Sequence, residues 1–218
     1  MLRSRIRLTA VLAVAALALA ACGGGDDDSG GSSGAASASE IKVFAAASLT
    51  AAFTKLGEDF TAANAGTRVL LNLAGSQALA TQIQQAAPAD VFASADIPNM
   101  DKVKDLVNTP QNFASNLLAI VVEKGNPKDV KGLEDLAKPD LKVVLAAEEV
   151  PAGKYAKQVL DEAGVSVTPV SQEDNVKAVV TKVSLGEADA GIVYVTDCLL
   201  YTSPSPRDLS TSRMPSSA

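Results

Sequence analysis

The chain has 218 residues, 47% of them hydrophobic, which is enough to bury the core of one large domain or two small ones. It contains no histidine and no tryptophan, which excludes Ser-His-Asp and Cys-His nucleophiles, zinc sites with His ligands and the usual proton shuttle at neutral pH. Its net charge of −6 argues against a nucleic-acid partner.

The first 22 residues carry the three regions of an export signal. Arginines precede an apolar run from Leu8 to Ala21, which is too short and too rich in alanine for a comfortable membrane span. Leu19-Ala20-Ala21-Cys22 resembles the lipobox of bacterial lipoproteins, which implies cleavage before Cys22 and diacylation of its thiol. The lipobox therefore predicts an extracytoplasmic protein that is anchored by lipid to the outer face of the cell membrane. The alternative is a free or disulfide-bonded Cys22.

Residues 23–39 consist of Gly, Ser, Ala and Asp and cannot bury a core. This composition predicts a flexible linker. The three consecutive aspartates at 26–28 have no flanking ligands, so a solvated spacer is favoured over a cation site.

From residue 41 onward, short apolar runs alternate with amphipathic segments, which predicts an α/β protein with largely parallel sheets. The predicted strands cover residues 41–45, 68–73, 91–93, 117–122, 142–145 and 190–193. The predicted helices follow in the regions 53–64, 77–87, 154–163 and 175–185. Phe53, Leu56 and Phe60 form the apolar spacing of the first helix. The continuous apolar run 117–122 is typical of a strand buried on both faces.

Ligands of parallel sheets bind beyond the carboxyl ends of the strands, among helix N-termini. Small or polar residues occupy four such junctions, namely Ala47-Ser48, Ala74-Gly75-Ser76, Val150-Pro151-Ala152-Gly153 and Asp174-Asn175-Val176. Gly75 and Gly153 are expected to let the backbone approach a ligand closely. Backbone N–H groups and the hydroxyls of Ser48 and Ser76 are neutral donors, so the junctions predict an anion site without a cationic side chain. The alternative for Ser48 is a simple helix N-cap.

Four motifs taken together resemble the periplasmic molybdate-binding proteins of bacterial ABC importers. They are VFAAASLTAAF (43–53), AGSQALATQIQQAAPADVFASAD (74–96), VPAGKYA (150–156) and GEADAGIVYVTD (186–197), and the similarity covers about residues 41–197. The resemblance implies the type II periplasmic-binding-protein fold, with two α/β lobes around a cleft that holds molybdate or tungstate. Matched by position, it implies contacts from the hydroxyls or backbone of Ser48, Ser76, Ala152, Val176 and Tyr194. Tyr194 could equally be a routine aromatic residue at a strand end.

The resemblance places the first lobe at residues 40–116, the second at 117–194 and the start of a crossover at 195–200. Hinges are expected near 116–118 and 194–197. Residues 201–218 lack periodicity and are rich in Ser and Pro, so we interpret them as a non-native, disordered tail on a truncated chain. A natural disordered tail is the alternative. Truncation would leave the first lobe incomplete and less stable. The segment before Pro151, Ala146-Ala147-Glu148-Glu149, also departs from the family pattern.

These observations predict a monomeric solute-binding lipoprotein that captures molybdate or tungstate and delivers it to an ABC permease. Sulfate is the alternative ligand. We expect no enzymatic activity, no cofactor, and molybdenum only within the bound oxyanion, without direct protein ligands. Rival functions are an enzyme with Ser48 as nucleophile, a binding module for a sugar or iron, and the effector lobe of a regulator. Asp90, Asp96 and Asp197 are expected to be turn or capping residues, because a carboxylate repels a dianion.

Overall fold

The computed structural model describes residues 39–198, which lie in seven strands, six α-helices and two short 3₁₀ turns. The strands are β1 (Ser39–Ala46), β2 (Thr67–Ala74), β3 (Val91–Ala93), β4 (Leu118–Val122), β5 (Val143–Ala146), β6 (Ser171–Glu173) and β7 (Ala190–Tyr194). The helices are α1 (Thr50–Ala63), α2 (Ser76–Gln84), α3 (Ile97–Asp101), α4 (Pro151–Glu162), α5 (Val176–Ser184) and α6 (Val195–Cys198). The 3₁₀ turns are Ala47–Leu49 and Glu134–Ala137.

Several predictions concern residues outside this range. The leader with Cys22, the linker up to residue 38 and the tail 201–218 all lie outside the described residues. Between residues 39 and 198, none of the helices is long and apolar enough to cross a lipid bilayer.

The first sheet is built from the early part of the chain and is entirely parallel, in the order β2-β1-β3. Val43 of β1 pairs with Leu71 on one side and with Val91 on the other. All three carboxyl ends therefore meet at the same edge of the sheet. We call residues 39–116, which contain this sheet and α1 to α3, the N-terminal part.

The second sheet has the order β4-β7-β5-β6 and belongs to residues 117–198, which we call the C-terminal part. β5 pairs in parallel with β6 and β7, whereas β4 runs antiparallel to β7. Valines of α5 pack on this sheet, and Val179, Val180 and Val183 have no exposed surface. The prediction of an α/β protein with mostly parallel strands is confirmed.

Each predicted strand and helix is present, with every end within three residues of its predicted position. The periodicity did not predict β6, α3 and α6, since these elements have three to five residues and carry little apolar pattern. β6 reads Ser171-Gln172-Glu173 and is a strand because it pairs with β5. Its hydrogen bonds come from a partner far away in sequence.

The expected apolar face of α1 is only partly correct. Leu56 and Phe60 are 59% and 44% exposed, while Phe53 packs edge-to-face on Phe113 with ring centroids 6.2 Å apart. α1 lies mainly on β2, which is the edge strand of its sheet, so the described residues cover one side of the helix only. Gly57 makes the close approach to Val69 of that strand.

The expectation of a strand buried on both faces at 117–122 is correct for the first part of β4 only. Leu118 and Ala119 lie on opposite faces and are both buried, whereas Ile120 to Val122 are half-buried, and β4 is an edge strand of the second sheet. An uninterrupted apolar run does not distinguish an interior strand from an edge strand.

The two segments expected to act as hinges lie side by side. The Asn116 side chain donates from Nδ2 to Thr196 Oγ1 at 2.8 Å, and the backbone N–H of Val195 donates to the Leu117 carbonyl at 2.9 Å. These bonds join the segment that enters β4 to the segment that leaves β7.

Candidate ligand-binding site

A small cavity lies where the N-terminal and C-terminal parts meet. The structure brings all five residues predicted for the site to its wall, namely Ser48, Ser76, Ala152, Val176 and Tyr194. The other lining residues are Ala46, Ala47, Ala95, Val150 and Pro151. The cavity measures about 10 Å³, which on this scale is room for roughly one water molecule.

Strand ends and helix starts supply the wall because of the parallel topology. Ser48 follows β1 and Ala95 follows β3, so both lie at the carboxyl edge of the first sheet. Ser76, Ala152 and Val176 are at or next to the first residues of α2, α4 and α5. Backbone N–H groups at helix starts have no acceptor within the helix and can bind a ligand.

Ser76 is 1% exposed and is held in position by the chain that follows β3. Its Oγ accepts a hydrogen bond from the backbone N–H of Ala95 at 3.0 Å. Since this bond occupies a lone pair of the oxygen, the hydroxyl proton remains available for donation. Ala95 thus orients Ser76 as a donor, which the sequence did not reveal.

The helix starts differ in how their N–H groups are satisfied. The N-cap residues of α2 and α4, Gly75 and Val150, make no side-chain cap bond. Asn175 caps α5 by accepting from the Ala178 N–H at 3.0 Å, which leaves the earlier N–H groups of that helix to other acceptors. Ser48 lies inside the 3₁₀ turn and is not an N-cap, so the alternative interpretation of Ser48 was wrong.

Tyr194 at the end of β7 is 6% exposed, yet its hydroxyl has no hydrogen-bond partner among the described residues. Burial raises the pKa of this phenol far above its usual range, and the charges of Tyr155, Asp96 and Asp197 act in the same direction. The hydroxyl therefore keeps its proton. A buried donor without an acceptor is destabilising, so the group is suited to a ligand with acceptor atoms.

The cavity wall carries no charged side chain, and two of the aspartates considered above have structural roles. Asp96 caps α3 by accepting from the Asn99 N–H at 3.1 Å, and Asp90 accepts from the Lys42 N–H at 2.7 Å. These capping predictions are confirmed. Across residues 39–198, no group of three or more metal-ligating side chains comes together.

Asp197 is fully buried beneath the site. Its Oδ2 accepts from the backbone N–H of Tyr194 at 3.3 Å, and Oδ1 lies 3.7 Å from the Lys177 ammonium. Burial raises the pKa of this carboxyl to about 6, although Lys177 acts in the opposite direction. Asp197 thus supports the strand end that carries Tyr194, which agrees with the capping role expected for it.

We expect the Asp197 contribution to stability to decrease as the pH rises. The native pKa of about 6 exceeds the usual 3.8, so the contribution is complete below about pH 3.8 and is lost through about pH 6. Between about pH 5 and pH 7.5 the loss is about 1 kcal/mol. Asp197→Asn keeps an acceptor for the Tyr194 N–H and should remove this slope, as measured by urea unfolding at both pH values. The exposed Asp161→Asn is the control, and equal pH dependence in all three proteins would contradict the assignment.

The two glycines expected to face a ligand do not line the cavity. A β-carbon at Gly153 would lie 2.1 Å from the Ala147 carbonyl oxygen and 2.3 Å from that of Ala146. A β-carbon at Gly75 would lie 2.6 Å from the Asp174 carbonyl oxygen. Both glycines allow one chain segment to approach another, so their predicted role at the ligand was wrong.

Comparison with known proteins relates nearly all of the described region to one family. A family model described as bacterial extracellular solute-binding protein matches residues 41–211. The molybdate-binding protein ModA of Mycobacterium tuberculosis is 46% identical over 184 residues, which are 83% of this chain and 70% of that protein.

Solved structures agree with that match. The substrate-binding domain of a putative molybdenum ABC transporter from Clostridium difficile superposes with a TM-score of 0.51 at 30% identity, covering 73% of each chain. The periplasmic molybdate-binding protein of Azotobacter vinelandii shares the fold, with a TM-score of 0.60 at 22% identity over 72% of each chain.

Proposed function

The chain belongs to the bacterial extracellular solute-binding protein family, and on that premise we propose that it captures molybdate outside the cytoplasm for delivery to an ABC importer. Its fold is that of the periplasmic binding proteins. The observation that carries the proposal is the convergence of Ser48, Ser76, Ala152, Val176 and Tyr194 on one uncharged cavity. The molybdate-binding relative at 46% identity supports the choice of ligand.

The chemistry of the wall suits a fully ionised tetrahedral oxyanion. Three hydroxyls, those of Ser48, Ser76 and Tyr194, donate hydrogen bonds, and the helix starts at Ala152 and Val176 add backbone donors. Hydrogen bonds to a charged group contribute about 1.5 to 3 kcal/mol each. Since no cation takes part, the binding free energy comes from short hydrogen bonds to donors that include the buried Ser76 and Tyr194.

The same wall discriminates between oxyanions by whether the anion carries a proton. Hydrogen phosphate carries a proton and needs an acceptor, whereas molybdate and tungstate at neutral pH need donors only. The cavity wall has no carboxylate to accept that proton. Sulfate is also fully ionised, so we propose that cavity size excludes it, and sulfate remains the alternative ligand.

Capture requires the walls to move, because the cavity has room for roughly one water molecule and a tetrahedral oxyanion is larger than that. We propose that the N-terminal and C-terminal parts separate about the segments joined by the Asn116–Thr196 bond and close on the ligand. The protein then docks on a permease as a monomer. It is held at the membrane by lipid on Cys22, uses no cofactor and performs no chemistry on the ion.

Calorimetric titration of the purified chain with molybdate, tungstate, sulfate and phosphate tests the proposal. We expect molybdate and tungstate to bind tightly, sulfate weakly and phosphate not measurably. Phosphate binding as tight as molybdate binding would contradict the donor-only site. Tight sulfate binding without molybdate binding would establish the alternative.

Serine variants test the individual donors. Ser48→Ala and Ser76→Ala should each weaken molybdate binding by roughly 1 to 3 kcal/mol, or about 5- to 150-fold. Ser184→Ala, at the exposed C-terminal end of α5, is the matched control and should bind like the wild type. If the two site variants also bind like the wild type, their hydroxyls do not contact the ion.

A further inference from the structure

A side-chain contact beside the cavity joins the two parts of the molecule, in addition to the Asn116–Thr196 bond between the hinge segments. Gln77, in the first turn of α2, donates from Nε2 to the backbone carbonyl of Asp174 at 2.8 Å, across 97 positions of sequence. Asp174 lies two residues before the start of α5. The contact therefore links the helix start at Ser76 to the helix start at Val176, one from each part.

Gly75 makes this contact possible. A β-carbon there would lie 2.6 Å from the Asp174 carbonyl oxygen and 2.5 Å from the Gln77 amide, which is closer than real β-carbons approach other atoms. The Oε1 atom of Gln77 is also buried and has no hydrogen-bond partner among the described residues. The two parts thus meet here at a distance that only glycine permits.

None of Gly75, Gln77 and Asp174 lines the cavity, so we place them outside the set of residues proposed to bind the ion. The cavity is walled by both parts. Under the proposed function, an ion leaves it when the two parts separate. Separation breaks the Gln77–Asp174 bond. A bond that exists only in the closed arrangement opposes opening and has no influence on which ion is chosen.

We propose that the Gln77–Asp174 contact is a latch that sets the rate of ligand release, with Gly75 as the glycine required for it to form. This inference rests on the proposed function. It assigns a positioning role to residues outside the cavity wall. It predicts that loss of the contact accelerates release but leaves the association rate and the ion preference nearly unchanged.

Gln77→Ala is the direct test, since the backbone acceptor cannot be removed by substitution. We expect release of radiolabelled molybdate into excess unlabelled molybdate to become about 3- to 10-fold faster, the equivalent of one neutral hydrogen bond. The association rate should change by less than about twofold, because most effects of this kind appear in dissociation. The ratio of molybdate to tungstate affinity should stay the same.

Gln84→Ala is the matched control. Gln84 lies on the same helix and also donates from Nε2 to a backbone carbonyl, that of Lys102 at 2.9 Å, but entirely within the N-terminal part. It should release molybdate at the wild-type rate. Gly75→Ala is the second variant and should accelerate release about 10-fold or more, because its β-carbon keeps Asp174 away.

The possible results distinguish failure of the latch proposal from failure of the proposed function on which it rests. Binding by the wild type with unchanged release in Gln77→Ala and Gly75→Ala overturns the latch and leaves molybdate capture in place. Slower association or an altered ion preference in Gln77→Ala also overturns it, because the residue would then shape the site. Failure of the wild type to bind any oxyanion overturns the proposed function and the latch together.

Discussion

Tyr194→Phe is expected to weaken molybdate binding about 10- to 100-fold while leaving the unliganded protein at least as stable as the wild type. The ring stays in its buried position at the end of β7, so packing is preserved. Only the hydroxyl is lost, and that hydroxyl has no partner among the described residues. Removing an unsatisfied buried group should raise the free energy of unfolding by up to about 1 kcal/mol.

This prediction separates binding from folding, which few substitutions in a buried site do. Calorimetry gives the affinity, and urea unfolding without ligand gives the stability. Tyr155→Phe is the control, because Tyr155 is half-buried on α4 and does not line the cavity. A parallel loss of stability and affinity in Tyr194→Phe would show that the hydroxyl serves the fold rather than the ligand.

Gly153→Ala is expected to lower the free energy of unfolding by about 3 kcal/mol or more. The added β-carbon would overlap two backbone carbonyl oxygens at the end of β5, at 2.1 and 2.3 Å, and backbone atoms cannot rotate away as a side chain does. The start of α4 has to move outward instead. Because Ala152 lies next to this glycine on the cavity wall, molybdate binding should be lost as well.

Urea denaturation measures the effect, with Gly57→Ala as the matched control. Gly57 also lies within a helix, but its β-carbon would meet side chains and no backbone atom, with Val69 at 3.3 Å and Leu71 at 4.0 Å. The gain in helix propensity from Gly to Ala should keep this control within about 1 kcal/mol of the wild type. Equal effects at the two positions would mean that the contact of α4 with β5 is looser than the structure indicates.

Much of the fold follows from local pattern. Leu79 and Ile83 recur at helical spacing and are both buried in α2, and Val91 to Ala93 form the short strand expected of them. The pattern failed where burial depends on position within the sheet. Leu56 and Phe60 have the right spacing but lie on a helix that covers an edge strand.

Some residues of the candidate site were likewise predictable from local sequence, and others were not. Small and polar residues at the ends of predicted strands were enough to select Ser48, Ser76, Ala152 and Val176, because parallel topology sends all such junctions to one edge. Tyr194 came from the family resemblance alone. Ala95 was missed as the group that orients Ser76, since no local signal links residues 19 positions apart.

Sequence was sufficient to establish the α/β class, the alternation of strands and helices and the residues that could donate to an anion. Those properties depend on neighbours along the chain, where hydrophobic period and turn chemistry act over a few residues. Three features were decided by the tertiary structure alone. The Tyr194 hydroxyl has no partner among the described residues, Gly153 faces the backbone at the end of a strand instead of a ligand, and Gln77 bonds to Asp174. Each of these depends on where distant segments meet, and contacts at that range leave no periodic trace in the sequence.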